Sequence, residues 1–325
     1  MAEYGQGPHR RRGVAIAGSI PDQVRAGCAW VAGRARSVRI QEAAIETYAR
    51  TLPAAVPPGE LDATTHFLEG DRESRAAFVI CLDAINFGSG WWPTIHKRPG
   101  YSGYFTVAAG LTERFQATGA WSAQELTRLS ATDVAEVVGQ DPEHPLMADF
   151  AASLRDVGER VLADHGGRFT AVVDAADGSA IALADLLAGW QAFADISTYD
   201  GRSIPFYKRA QITAADLNRT GVAALRDEGR LTAFADNLVP HVLRVDGVLR
   251  IDSKLEQTIE AGELIAHDSP EEVELRACGV HAVELLADAI DRRLTPAQID
   301  AALWNRGQQP RYKAIPRPRC RSTAY

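Results

Sequence analysis

Two ionisable residues stand in surroundings that rarely hold a charge without a reason. Asp236 follows the apolar run Leu231-Thr232-Ala233-Phe234-Ala235, and Lys208 follows the aromatic pair Phe206-Tyr207, both within a helix-forming stretch at 204–252. An uncompensated charge there costs on the order of several kcal/mol in desolvation, and pairing the two relieves that cost. A buried salt bridge between two helices is one outcome and a catalytic pair is the other. Both perturb proton affinities, so spacing leaves the choice open. Farther on, Asp300 and Trp304 are four apart on a predicted helix and share a face. A carboxylate beside an indole plane suits a nitrogen-rich base, whose ring stacks while its N–H groups donate to the acid; a capping acid and a core tryptophan are the plainer alternative. After Asp300 there is no acid, while Arg306, Arg311, Lys313, Arg317, Arg319 and Arg321 accumulate. A solvated tail is one reading of such a run. The prolines Pro316 and Pro318 and the terminal Tyr325 point to an extended, pinned segment, in which Arg319 and Arg321 could hold a phosphate bidentately.

The rest of the composition narrows the class. With 325 residues, 46% hydrophobic and 24% charged, the chain can bury a sizeable core as a soluble globule. A net charge of -7 argues against coating duplex DNA, which demands clustered cations, but leaves a small anionic ligand open. No direct nucleic-acid partner is expected, and a monomer is. Cys28, Cys81, Cys278 and Cys320 are far apart, so reduced thiols and a cytoplasmic setting are the expectation. Neither H-E-x-x-H nor a Cys/His quartet occurs among the eight histidines, and neither metal nor cofactor is expected. His9-Arg10-Arg11-Arg12 imitates a twin-arginine signal, yet the apolar part that follows is too short, so residues 1–20 read as a disordered basic tail. No apolar run is long enough for a membrane span.

From Pro21 onward helix start signals recur: Ser122-x-x-Glu125, Thr213-x-x-Asp216, Ser269-x-x-Glu272 with Pro270, and Thr295-x-x-Gln298 with Pro296. Residues 104–115 place Tyr104, Ala108, Leu111 and Phe115 on one helical stripe entered through Ser102-Gly103. A helix over 77–92 ends at Asn86-Phe87 and Gly88-Ser89-Gly90, and Trp91-Trp92-Pro93 read as a core corner. Residues 171–180 suggest a short strand and turn, 195–203 an irregular loop, and 296–305 the last helix. The fold class is therefore mainly α: a single compact helical domain over 21–325 with at most a few short strands.

The blocks Phe206-Tyr207-Lys208-Arg209-Ala210-Gln211-Ile212, Phe234-Ala235-Asp236 and Val239-Pro240-x-Val242-Leu243-x-x-x-Gly247-Val248-Leu249 resemble the queuosine-salvage family, the queuosine 5′-phosphate N-glycosidases. Tyr101-Ser102-Gly103-Tyr104, Glu272-Val273-Glu274-Leu275-Arg276-x-Cys278, Ile299-Asp300-x-x-Leu303-Trp304 and Arg319-x-Arg321-x-x-x-Tyr325 agree in the same order, so the resemblance covers nearly the whole chain. The chain departs from the family after Asn86-Phe87, and Pro318 occupies a place where the family keeps a histidine.

The resemblance implies hydrolysis of the N-glycosidic bond of queuosine 5′-phosphate with release of queuine, in a fold similar to helix-hairpin-helix DNA glycosylases. An oxocarbenium-like ribose needs negative charge near its anomeric carbon. The family implies Asp236 for this, as nucleophile or as transition-state stabiliser. Lys208 would hold Asp236 ionised and in place, or else face phosphate or ribose hydroxyls. His66, in Thr65-His66-Phe67-Leu68, corresponds to a ligand-contacting histidine, Phe234 walls the base, and Asp300 with Trp304 selects it. A base-excision DNA glycosylase and a non-catalytic nucleotide-binding helical protein are the alternatives; acidity weighs against the first, and the charged pair against the second.

Overall fold

The computed structural model describes residues 18–56 and 61–325, so the expected tail at 1–20 lies outside the described residues except for its last three. The chain opens with α1 (Ile20–Ala32), β1 (Val38–Ile40) and α2 (Glu42–Ala49). A run of helices follows: α3 (Arg72–Ala84), α4 (Gly103–Thr118), α5 (Ala123–Leu126), α6 (Ala131–Val138), α7 (Pro145–His165), α8 (Phe169–Asp174) and α9 (Ala180–Ala188). The hairpin β2 (Ile196–Tyr199) and β3 (Arg202–Pro205) leads into α10 (Lys208–Arg219). The last part holds α11 (Leu238–Val245), β4 (Leu249–Ile251), α12 (Ser253–Glu260), α13 (Pro270–Asp288), α14 (Pro296–Gly307) and α15 (Pro310–Lys313). The mainly α class holds, with two small antiparallel two-stranded sheets among the described residues.

Local chemistry explains these boundaries. Reciprocal capping boxes open α5 at Ser122/Glu125, α6 at Ser130/Asp133 and α14 at Thr295/Gln298. Ser269 caps α13, but the Glu272 side chain turns back to the Asp268 N–H rather than to Ser269. The expected start at Thr213 is absent: Thr213 lies inside α10, where its hydroxyl donates to the Arg209 carbonyl at 2.7 Å. The expected strand at 171–180 is instead the end of α8, a turn and the start of α9. The expected loop at 195–203 is the β2–β3 hairpin, pairing Ile196 with Pro205. Its turn residues Asp200 and Gly201 both take positive φ, 46° and 77°, the geometry that an Asp-Gly pair favours in a two-residue hairpin.

Two large apolar cores result among the described residues, beside a small cluster of Cys320, Ala324 and Tyr325. One, built on α3 to α10, gathers Phe78, Phe115, Phe150 and Phe193. The other, on α1, α2, α11, α13 and α14, gathers Val24, Val242, Val273 and Leu303. The segment 231–235 has no regular secondary structure and runs between the two cores. Leu231 and Phe234 join the first core, Ala233 and Ala235 the second. Lys208 and Asp236 therefore both sit where two helical layers meet.

After α15 the chain forms a strap that crosses the seam. Arg244 holds the Pro316 carbonyl, Asn237 holds that of Pro318 at 2.8 Å, and the Ile265 N–H holds that of Arg319. At its far end the Gly88 N–H donates to the Tyr325 carbonyl at 3.1 Å. Gly90 admits the strap, because a Cβ there would lie 2.2 Å from the Cys320 carbonyl oxygen.

Candidate active site

Asp236 follows the segment 231–235, just ahead of α11. Its Oδ1 accepts the N–H groups of Leu238 at 2.9 Å and Val239 at 3.0 Å, so the first turn of the helix grips one oxygen. Oδ2 has no hydrogen-bond partner among the described residues. Burial pushes this carboxyl above the usual value; the Val239 N–H, Lys208, the Leu238 N–H and Arg317 oppose that push. The group is thus fixed at one oxygen and available at the other.

Lys208 begins α10, entered through Tyr207 in a left-handed conformation at φ 48°. Its ammonium donates to Asn86, to the carbonyl at 2.9 Å and to Oδ1 at 3.1 Å. Of the two alternatives, the buried salt bridge between two helices is not formed: the Lys208 ammonium bonds Asn86 instead, and Asp236 lies on a loop. The charges still act on each other: burial lowers the proton affinity of Lys208, while Asp236, Asp83 and Asp300 raise it. Behind Asn86 stands Asp83, reached through Asn86 Nδ2 at 3.3 Å, with Oδ2 buried and unpartnered. Burial and then Asp216 hold the Asp83 carboxyl well above the ordinary range.

A buried ion pair positions both residues. Arg276 donates to Asp195 through two nitrogens, at 2.9 and 2.7 Å, and through Nε to the Ala235 carbonyl at 3.0 Å. The guanidinium lies over the rings of Phe206, at 3.9 Å, and Tyr325, at 4.4 Å. Asp195 Oδ2 in turn accepts the backbone N–H of Lys208 at 3.0 Å. One bidentate pair thus ties the start of α10 to the peptide just before Asp236.

Phe234, Asp236 and Asp300 line a common recess with Val239 and Arg276. Asp300 Oδ1 accepts the Phe234 N–H at 3.0 Å. Burial and then the Asp236 charge push the Asp300 carboxyl well above the ordinary range. One turn along α14, Trp304 meets Phe105 of α4 edge to face, with centroids 5.9 Å apart. Aromatic rings from both layers therefore face each other across the seam.

Other expected residues are placed less centrally. His66 packs by Thr65 and the Asp62 carbonyl, its hydrogen bonds staying within that turn; burial, with Arg219 nearby, lowers its proton affinity. Arg319 lines a second recess that includes Asp236, and its guanidinium donates to the Gly262 carbonyl. Arg321 is exposed and lies over Trp91, itself buried in the first core. The charge of Arg317, also on the strap, acts on Asp236; burial lowers the proton affinity of Arg317 and Asp236 supports it. The sequence marks Asn86 as a helix end and Arg317 as part of the basic run without giving either a role, and it does not single out Asp195 or Phe105. Arg276 was flagged by the Glu272 to Cys278 block without a role. Among the described residues, the three side chains closest to a metal-binding arrangement are His267, Glu272 and Cys320.

The family model described as queuosine salvage protein matches residues 65–325. The chain is 35% identical over 91% of its length to a protein of Sphaerobacter thermophilus, of which it covers 95%. It is 28% identical to a protein of Bos taurus, over 80% of this chain and 82% of that one. With a protein of Mus musculus it shares 27% identity, over 94% and 99%. All three carry the name queuosine 5′-phosphate N-glycosylase/hydrolase.

Proposed function

This chain belongs to the queuosine salvage protein family, and from that premise we propose that it hydrolyses the N-glycosidic bond of queuosine 5′-phosphate and releases queuine. The observation that carries the reading is Asp236: one oxygen gripped by the α11 N-terminus, the other free, in a recess shared with Phe234 and Asp300.

In this reading the base stacks between Phe234 and Trp304 and donates N–H groups to Asp300, whose free oxygen gains a partner as the ligand enters. A base that donates to Asp300 favours its ionised form, opposing the burial that raises its proton affinity. As the glycosidic bond lengthens, positive charge develops on the ribose, and Asp236 Oδ2 stabilises it at close range in a poorly solvated seam. Water then completes the hydrolysis, either directly or by opening a bond to Asp236. Lys208 keeps Asp236 ionised through charge while Asn86 holds the ammonium in place. His66 is assigned to the rim of the ligand. Arg319, with Arg317 beside it on the strap, is assigned to the 5′-phosphate, and Arg321 to the same end.

Chromatography of purified protein with queuosine 5′-phosphate tests the reading, with free queuine appearing at the rate at which nucleotide is lost. Intact nucleotide after prolonged incubation with folded protein overturns it. The phosphate assignment is separable: replacing Arg317 and Arg319 by Gln should lower kcat/KM for the monophosphate by about tenfold or more, from lost charge-assisted hydrogen bonds, and leave the unphosphorylated nucleoside nearly unchanged. An unchanged ratio of the two removes these arginines from phosphate recognition.

A further inference from the structure

Outside the machinery assigned above, His267, Glu272 and Cys320 come together from two pieces of chain, the entry to α13 and the strap. His267 lies in the loop before α13, Glu272 in the first turn of that helix and Cys320 on the strap. One donor atom from each lies within 4.8 Å of the other two. Cys320 and Glu272 line the same recess.

Two further observations give the cluster a direction. Glu272 is 1% exposed, and its Oε1 is buried without a hydrogen-bond partner. The nearest cation, Arg276 Nη1, stands 3.8 Å from that oxygen and already donates to Asp195. His267 presents Nδ1 toward Glu272 Oε2, at 3.8 Å, and Nε2 toward Asp268 Oδ1, at 4.0 Å. At 4.0 Å the Asp268 carboxylate is a charge beside the outer nitrogen rather than a hydrogen-bond acceptor. The Asp268 N–H also donates to Glu272 Oε2 at 3.2 Å, fixing the acid.

We propose that His267, Glu272 and Cys320 form a zinc-binding site that pins the C-terminal strap to the start of α13. A nitrogen, an oxygen and a sulfur donor together exclude the hard cations Mg2+ and Ca2+, which take oxygen ligands, and suit a borderline-soft divalent ion. Ligand bonds of about 2.0–2.3 Å put tetrahedral donors about 3.5 Å apart, so the cluster needs to contract by about 1 Å, which the half-exposed His267 side chain can supply by rotating. On binding, Cys320 releases its thiol proton, and any proton on His267 Nδ1 also leaves to solvent. Thiolate and carboxylate then balance the two positive charges, and water fills the fourth position. No sequence motif announces the site because Cys320 lies 48 residues beyond Glu272. The ion is placed here as a clamp on the strap, apart from the chemistry at Asp236.

The test uses the full chain without an affinity tag, stripped of metal by chelation and dialysis. One equivalent of Zn2+ is expected to bind and raise the melting temperature, with no shift from Mg2+ or Ca2+. Co2+ in place of Zn2+ should give a thiolate-to-cobalt charge-transfer absorption in the near ultraviolet. Cys320→Ser should abolish that band, and His267→Ala should weaken binding at least tenfold, with circular dichroism confirming that both variants fold. His267 is partly exposed, so its variant remains informative if Cys320→Ser is unstable. Absence of the cobalt band in wild type, its persistence in Cys320→Ser, or equal Zn2+ affinity in His267→Ala overturns the proposal and leaves the cluster an ion-pair network only.

Discussion

Asp236 can serve the proposed reaction because its two oxygens have different jobs. Asp236→Asn keeps an oxygen for the Leu238 and Val239 N–H groups, so the fold and ligand binding should persist. Loss of the charge should lower kcat by about 10²–10³, the worth of one preorganised electrostatic group; near-wild-type single-turnover rates would remove Asp236 from the reaction. Lys208→Met should act through the same carboxyl. Removing a cation that opposes its raised proton affinity shifts the acid limb of kcat/KM to higher pH, because Asp236 then ionises later. An acid limb unmoved in Lys208→Met shows that the lysine does not tune Asp236. Both residues were legible in the sequence, since a charge amid apolar neighbours is visible locally. Their partners were not. Asn86, 122 residues from Lys208, is an ordinary polar residue at a helix end, and only the fold brings its carbonyl to the ammonium.

At the scale of elements, the β2–β3 hairpin matters for what it carries at its two ends, Asp195 before it and Phe206 to Lys208 after it. Asp195 accepts the Lys208 N–H and both Arg276 nitrogens, and Arg276 holds the Ala235 carbonyl. Hairpin, α10 and α13 are thereby locked in one register. Arg276→Met strands the Asp195 carboxylate and should destabilise by about 3–5 kcal/mol, the cost of breaking a buried pair from one side. Pairing it with Asp195→Asn should recover part of that loss without restoring turnover. Denaturant melts of the single and double variants check this; a double variant as unstable as Arg276→Met means that the stranded charge is not the cause. The helices α4, α5 and α14 were legible because their caps are written in adjacent residues. The hairpin was misread although Asp200-Gly201 is a turn signal, because strands of four residues beside helical neighbours give too little alternation to stand out. The false start at Thr213 shows the converse: a capping pattern inside a helix has no free N–H groups to serve.

Across the whole molecule, the seam holds Asp83, Asp236 and Asp300 together, each with its proton affinity raised first by burial. A carboxyl that the fold prefers protonated is ionised more readily in the unfolded chain, with its ordinary value of 3.8. The unfolded state then sheds its proton first as pH rises above that value, and folding stability falls until the folded group ionises too. At neutral pH the site is therefore a stability cost, which the proposed function explains by a charge needed there when ligand binds. Asp300→Asn should expose this. The amide oxygen keeps the Phe234 N–H, the variant no longer has to bury a charge, and its melting temperature at neutral pH should rise by about 2 °C or more. The advantage should shrink as pH falls through 3.8 toward about pH 3, where wild-type Asp300 keeps its proton in both states. Queuine binding should weaken in the same variant by about tenfold or more, since the amide offers the base one acceptor fewer and no charge. Calorimetric melts at the two pH values, with queuine titrations, read both quantities on one protein. A variant less stable than wild type at neutral pH would show that Asp300 is compensated by its surroundings, and equal queuine affinity would place the base away from α14.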